Sequence, residues 1–200
     1  DFDVWAQKGN LGWSYKDVLP YFKSMESKLG SGDKDYHGKT GEQIITDLSW
    51  RDPLCDAFIK GAMDYGIPFN ADYNGKTQEG VSYVQRTTSG RFRQSSSKSF
   101  LKPVKKRKNL KIITNAHVKN IIINNKKAEG IEFFKGRERS SIIKMFANKE
   151  IILSAGVINS PQILQLSGIG PSELLKEHGI IVKHKLDGVG KNLRDHYNIR

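Results

Sequence analysis

The chain has 200 residues, a formal net charge of +12 and 37% hydrophobic residues. That length suits one sizeable domain or parts of two, and the apolar content is enough for a packed core. No apolar segment approaches the ~20 residues needed to cross a membrane, and the single cysteine, Cys55, excludes an internal disulfide or a cysteine-cluster metal site.

The chain opens Asp1-Phe2-Asp3-Val4-Trp5, without a basic start, an apolar run or an initiator Met. No signal peptide is expected, and both ends read as cuts through a longer protein. Ser14 is placed to cap a helix over Tyr15–Met25, with Val18, Leu19, Phe22 and Met25 on one side. Pro20 lies inside that pattern and moves the expected start towards Leu19. Gly30 to Gly41 reads as a loop, and Gln43-Ile44-Ile45-Thr46 as a short strand. Asp52 and Pro53 open the next helix, which Gly66 ends. Cys55 stands in its first turn and reads as a buried, inert thiol. Val81 to Thr88 alternates like a strand, with Val81, Tyr83 and Gln85 on one face. Ser95 to Leu101 reads as a short helix stopped by Pro103.

Basic residues concentrate between Arg91 and Lys111, most densely at Lys105-Lys106-Arg107-Lys108. Such a run can mark a nucleic-acid footprint. No aromatic residue interleaves the densest run, and no zinc-finger or RNA-binding pattern accompanies it. A solvated basic surface is therefore the preferred reading, with a nucleic-acid-binding module as the alternative.

After the basic run, Leu110–Thr114, Val118–Ile123, Ala128–Phe134 and Ile142–Phe146 read as strands in a meander, with a turn at Asn124-Asn125. The meander feeds Lys149-Glu150-Ile151-Ile152-Leu153, also read as a strand. The small residues Ser154-Ala155-Gly156 follow, then a helix expected to begin with Ser160 as N-cap and Pro161 at its first position. A strand, a small-residue turn and a helix together bring backbone N–H groups close to an anionic or dinucleotide cofactor. The same glycines also serve close strand–helix packing. Pro171 to His178 is expected to be helical, Ile180 to Leu186 a strand and Gly188 to Arg200 a loop.

Several chemistries lack their residues. No serine sits at a nucleophile elbow. There is no P-loop and no complete G-x-G-x-x-G; Gly188-Val189-Gly190 is only a fragment of one. Asp33 and Asp35 read as solvated carboxylates. His37, His117, His178, His184 and His196 show no metal-pair spacing, so no metal is expected. Asp195-His196 is an adjacent acid–imidazole pair.

The stretch from Ser154 to Gly170, SAGVINSPQILQLSGIG, resembles the second signature of the glucose–methanol–choline (GMC) oxidoreductases. Val157 departs mildly from it, since that family more often has alanine there. Matches continue along the chain: Asp3-Val4-Trp5-Ala6, Gly12-Trp13-Ser14-Tyr15, Val18 to Phe22, Tyr36-His37-Gly38, Asp72-Tyr73-Asn74-Gly75, Gln78 to Val81, and Gly188 to His196. They are closest to choline-dehydrogenase-like and alcohol-dehydrogenase-like bacterial members.

The resemblance implies an FAD-dependent oxidation of an alcohol to an aldehyde or ketone, with electrons passed on to a quinone, another acceptor or oxygen. It implies an α+β fold: an α/β FAD-binding part with an antiparallel meander plus part of a substrate-binding sheet domain, an incomplete GMC fold. Residues 1–40 would connect to the substrate domain, 41–105 form part of it, 106–170 belong to the FAD-binding domain, and 171–200 begin the return. Val118 matches a valine whose backbone contacts the adenine, and Ser154, Ala155 and Gly156 match the strand end beside the ADP half. Tyr83 and Gln85 are candidates to face the substrate. The family's pyrophosphate loop is expected before Asp1 and its catalytic histidine beyond Arg200, so no catalytic residue is assigned here. The fragment alone is expected to be inactive. A cytoplasmic or peripheral membrane location is expected, with no nucleic-acid partner; a non-catalytic fragment is a further alternative.

Overall fold

In the computed structural model, residues 1–136 and 141–196 are described, and the chain divides into two units, Asp1–Lys111 and Ile112–Arg200. The first unit begins with helix α1 (Phe2–Gln7), which the sequence pattern did not announce. The Asp3 carboxylate accepts the Tyr15 N–H at 2.8 Å and ties α1 to the start of α2 (Tyr15–Met25). A capping box closes that start. Ser14 Oγ accepts the Asp17 N–H, and the Asp17 carboxylate accepts the Ser14 N–H. The box sets the helix origin at Tyr15, and Pro20 is carried inside the helix rather than at its start. Phe2, Trp5 and Phe22 meet with ring centroids 5.5 and 5.7 Å apart, which packs α1 on α2.

The chain leaves α2 directly into β1 (Glu26–Leu29), which pairs in parallel with β2 (Gln43–Thr46). β2 was legible; β1 was not, because Glu26-Ser27-Lys28-Leu29 carries no apolar alternation. The connecting loop runs close against α2 and β1. A Cβ at Gly38 would overlap the Lys23 carbonyl, and one at Gly41 the Met25 backbone, so both positions need glycine. Lys28 is 1% exposed and pairs with the half-exposed Asp47.

Helix α3 (Pro53–Asp64) starts as its sequence indicates, with Asp52 capping the Leu54 N–H at 2.8 Å and Pro53 in the first turn. Its outer stripe includes Leu54, Cys55 and Phe58, and Cys55 is exposed, not buried as expected. Residues 81–88 do not form the expected strand. Before Thr88, only Val81 and Arg86 make bridges, to Phe69 and Thr46. Between them, the Gln85 N–H is taken by the Tyr73 hydroxyl at 2.9 Å, so a side chain replaces a ladder partner. A small hairpin follows, β3 (Thr88–Ser89) with β4 (Phe92–Arg93), turning at Gly90. Ser97–Leu101 is a π-helical turn rather than an α-helix, with the Lys102 N–H reaching the Ser97 carbonyl. The basic run then folds as successive turns, Val104 to Leu101, Arg107 to Val104 and Leu110 to Arg107.

The second unit is built on a three-stranded antiparallel sheet, β5 (Ala116–Asn124), β6 (Lys127–Lys135) and β7 (Ile142–Phe146), in that order. This is the expected meander. Its first turn places Asn125 and Lys126 at φ 47° and 63°, the geometry of a two-residue hairpin whose twist matches the strands. Leu110–Thr114 and Lys149–Leu153 are not strands. Their β-branched composition suits a strand, but a strand needs a neighbour, and none of the described residues supplies a ladder to either.

Helix α4 (Gly156–Leu166) starts five residues earlier than expected, with Ala155 at its N-cap. Ser160 is inside the helix, and its hydroxyl instead accepts the Ala155 N–H at 3.1 Å. Pro161 is inside as well. Ile163 of α4 packs on Ile121 and Ile123 of β5, with Val118, Leu153 and Ile169 around them. Ser167, 3% exposed, accepts the Ile121 N–H at 2.8 Å and donates to the Ile163 carbonyl at 2.6 Å. A buried hydroxyl thus pins the end of α4 to the edge strand of the sheet. β8 (Ile169–Gly170), α5 (Ser172–Glu177) and β9 (His184–Lys185) follow, with β8 and β9 parallel. Of the strand expected over Ile180–Leu186, only β9 forms. The fold is mixed α and β with small sheets, as the sequence indicated. Of the expected closing loop, residues 197–200 lie outside the described residues.

Candidate functional site

In the first unit, a cavity of about 510 Å³ opens among α2, β1, β2 and the loops over residues 36–37, 73–74 and 85–87. Leu19, Phe22, Met25 and Ile45 supply apolar wall, and Tyr73 and Gln85 polar edges. One wall is a buried charge cluster. His37 is 4% exposed, with Nδ1 3.0 Å from Glu26 Oε1 and Nε2 2.9 Å from Asp72 Oδ1. The Gly38 N–H adds a bond of 2.9 Å to Glu26 Oε2. β1 positions Glu26, the Gly-rich loop carries His37, and an Asx turn, Asp72 N–H to Asn70 Oδ1 at 2.9 Å, positions Asp72.

Burial of Asp72 acts to raise its pKa, but hydrogen bonds from His37 and Gln85 outweigh it and hold the carboxyl below its ordinary value. Gln85 Nε2 donates to Asp72 at 3.1 Å, and Asn74 Nδ2 donates to Gln85 Oε1 at 2.9 Å. Gln85 therefore faces the cavity. Tyr83 stands apart from it. The Tyr83 hydroxyl sits 2.9 Å from Asp56 Oδ1 and accepts the Asp52 N–H at 3.1 Å, and the Arg51 guanidinium lies 4.4 Å over its ring. Desolvation and the Asp56 carboxylate push its phenol up. Tyr83 thus secures the start of α3. The Glu26–His37–Asp72 cluster was not legible in the sequence. Its members are far apart along the chain, and only the loop fold brings them together; the motifs Tyr36-His37-Gly38 and Asp72-Tyr73-Asn74-Gly75 were the available signal.

In the second unit, Val118 is half-buried on β5 against the core, while Ser154 and Gly156 are exposed and Ala155 half-buried. Gly156 holds φ +88°, with nothing within 4 Å of where a Cβ would stand. The first turn of α4 leaves backbone N–H groups without intrahelical partners, and Val157 and Ile158 beside them are exposed. Open backbone donors next to apolar side chains fit a cofactor that joins phosphates to flat aromatic rings. A second cavity, about 720 Å³, lies along the same helix, with Val157, Ile158, Gln162, Val189, Leu193 and Arg194 in its wall. Gln165 Nε2 donates to the Val189 carbonyl at 3.2 Å and fixes the Gly188–Gly190 turn there.

Asp195 and His196 do not form a side-chain pair. The Asp195 carboxylate accepts the His196 backbone N–H at 2.8 Å, a local turn contact. Among the described residues there is no cluster of three or more potential metal ligands, and no helix is long and apolar enough to cross a membrane. The basic run from Arg91 to Lys111 offers neither a helix for a groove nor an aromatic stacking platform in its densest part.

The chain belongs to the GMC oxidoreductase family, whose profile matches residues 1–198. It is 40% identical over 199 residues to an alcohol dehydrogenase (acceptor) of Pseudomonas putida, covering 100% of this chain and 36% of that protein. It is 41% identical over 199 residues to an oxygen-dependent choline dehydrogenase of Brucella anthropi, covering 100% of this chain and 35% of that protein. Among solved structures, an FAD-dependent oxidoreductase from Chaetomium thermophilum superposes with a TM-score of 0.89 at 31% identity, covering 97% of this chain and 35% of that one. A pyridoxine 4-oxidase from Mesorbium loti superposes with a TM-score of 0.85 at 28% identity, covering 93% and 36%. The chain thus spans about a third of the length of the curated relatives it matches. None of these likenesses supports the nucleic-acid alternative.

Proposed function

We propose that this chain is part of an FAD-dependent oxidoreductase that converts an alcohol to an aldehyde or ketone. The observation that carries the reading is the GMC family match along 1–198, joined to the Ser154-Ala155-Gly156 entrance of α4, exposed at Ser154 and Gly156. FAD, when bound, accepts the hydride from the alcohol carbon. In this reading the second unit lends Val118 and residues 154–156 to the cofactor through backbone contacts, which is why small and extended residues suffice. The first unit lends the cavity that Gln85 faces to the substrate; Tyr83 keeps to α3. Residues 41–105 are assigned to the substrate-binding part and 106–170 to the FAD-binding part. Electrons leave to a quinone, another acceptor or oxygen, and the protein works in the cytoplasm or at a membrane surface.

The test is the purified full-length parent. A flavin absorbance spectrum, FAD released on denaturation and bleaching of the flavin by an alcohol under anaerobic conditions are expected. A colourless protein that releases no FAD would overturn the reading.

A further inference from the structure

We propose that Glu26, His37 and Asp72 form a one-proton latch that closes the turn over residues 70–75 against β1 and the loop over residues 30–41. Loss of the proton as pH rises releases the turn and opens that wall of the first unit's cavity. The latch belongs to the wall itself and stands whatever the cavity binds.

A neutral imidazole carries one N–H and one lone pair, so it donates on one side only. Here both sides need a donor. His37 Nδ1 lies 3.0 and 3.1 Å from the two oxygens of Glu26, and Nε2 lies 2.9 and 3.0 Å from those of Asp72. An ionised carboxylate only accepts. Asp72 is kept ionised: burial opposes its charge, but hydrogen bonds from His37 and Gln85 and the charge of His37 outweigh it. The closed cluster therefore holds one proton more than a neutral ring between two carboxylates, and moving that proton to Glu26 would not change the count. His37 is 4% exposed, and a Cβ at Gly32 would stand 3.0 Å from its Cδ2. Such packing leaves little room for water to part a lone pair from a carboxylate.

The Asp72 side is the one that yields. Glu26 belongs to β1, which pairs along its length with β2, and its Oε2 also takes the Gly38 N–H at 2.9 Å. Asp72 sits in a turn closed by its own N–H to Asn70 Oδ1 and by the Gly75 N–H to its carbonyl. Among the described residues, the turn meets the 30–41 loop through the His37 ring and the Asp33 backbone, both at the Asp72 carboxylate. Once the ring lets go, Gln85 is the main tie, through its bonds to Asp72, Asn74 and the Tyr73 hydroxyl. Tyr73 and Asn74 then swing away from Glu26 and His37 across the cavity.

The other charges around the ring are committed elsewhere. On β1 the Lys28 ammonium pairs with Asp47, and on α2 Lys23 donates to the Lys34 and Asp35 carbonyls. In the loop, Lys39 donates to the Lys28 and Gly30 carbonyls, and Asp33 Oδ1 accepts the Asp35 N–H. Tyr15, Lys16, Tyr36, Tyr73 and Arg86 complete the titratable lining of the two cavities His37 borders. Ordinary lysine, tyrosine and arginine side chains titrate at about pH 10 or above and carboxyls at about pH 4. Histidine is the residue type whose ordinary titration falls between them.

The closed form binds one proton more than the open form, so raising pH favours opening by up to about tenfold per pH unit. The experiment is amide hydrogen exchange of the full-length parent from about pH 6.5 to about pH 9, corrected for the intrinsic pH dependence of exchange. Protection across residues 70–75 should fall about tenfold or more over that range, while that of β5 and β6 stays level. His37→Gln, which has no proton to lose, should show low protection at every pH. Asp72→Asn suits a neutral ring, because its NH₂ meets the bare Nε2 while its oxygen keeps the Gln85 bond, so its protection should stay level and high. Level protection in the unmodified parent would overturn the latch. So would a fall shared by β5 and β6, or one that persists in Asp72→Asn. Asp72→Asn carries the test if His37→Gln does not fold.

Discussion

Replacing Ser167 by alanine should cost the second unit about 2 kcal/mol, because it orphans one specific donor. β5 is the edge strand of its sheet, and on its open side the Ile121 N–H finds Ser167 Oγ at 2.8 Å. Ile121 is only 6% exposed, so water does not readily replace the hydroxyl. The other bond of that hydroxyl, to the Ile163 carbonyl, is not orphaned. The backbone N–H of residue 167 already reaches the same carbonyl at 3.0 Å. The cost is therefore one unsatisfied buried N–H, about 1–3 kcal/mol, with little cavity, since serine and alanine differ by one oxygen. For a unit of this size that corresponds to a fall in melting temperature of about 8–16 °C at 2 kcal/mol. Urea and thermal melts of the chain, followed by circular dichroism, measure it. A loss under about 0.5 kcal/mol, the range of ordinary surface substitutions, would refute the argument that the Ile121 donor depends on this side chain.

Gly156→Ala forces a Cβ into a left-handed conformation at φ +88° and should destabilise by about 1–2 kcal/mol. In the full-length parent it should also lower the flavin content per chain, read from the absorbance ratio. Asp47→Ala should be more damaging than Lys28→Met, as urea melts would register. The first leaves the Lys28 ammonium buried without its partner, at a cost of about 3–5 kcal/mol, whereas the second removes the charge and keeps the volume. The first unit should also lose stability in acid through Asp72. Its folded-state pKa lies below the ordinary carboxyl value, so its contribution is fully present above the unfolded pKa and disappears as pH falls through the folded one. Asp72→Asn should flatten that acid limb in pH-dependent urea melts, and an unchanged limb would contradict the depressed value.

Where local chemistry decides, the sequence was a good guide. Asp52-Pro53 capped α3 as written, Gln43–Thr46 became β2, and the meander from Ala116 to Phe146 formed with its first turn at Asn125-Lys126, one residue beyond the expected Asn124-Asn125. The α3 cap and the meander depend on contacts within a few residues or on hairpins, whereas β2 is held by its parallel pairing with β1. The readings that failed turn on partners far along the chain. Leu110–Thr114 and Lys149–Leu153 have strand composition, but composition does not supply the neighbour a ladder needs. Val81–Thr88 lost its regular pairing to the Tyr73 hydroxyl. Ser160 was a sound N-cap by local rules, yet its hydroxyl turned back to Ala155 and α4 began at Gly156.

The candidate site divides in the same way. Ser154-Ala155-Gly156 could be picked out because small residues before an apolar run are visible in a line of letters. Gln85 was named, but its partners were not visible: its amide donates to Asp72, which His37 also contacts, and Glu26 holds the far side of that ring. By itself the sequence determined the family, the local turns and caps, and the small-residue entrance to α4, all set by neighbouring residues or by ordered motifs. Only the tertiary structure decided that a buried histidine sits between two carboxylates, that Tyr83 serves α3 and that Ser167 closes the sheet edge. Those roles come from geometry between distant segments, and burial makes each such partnership costly to break.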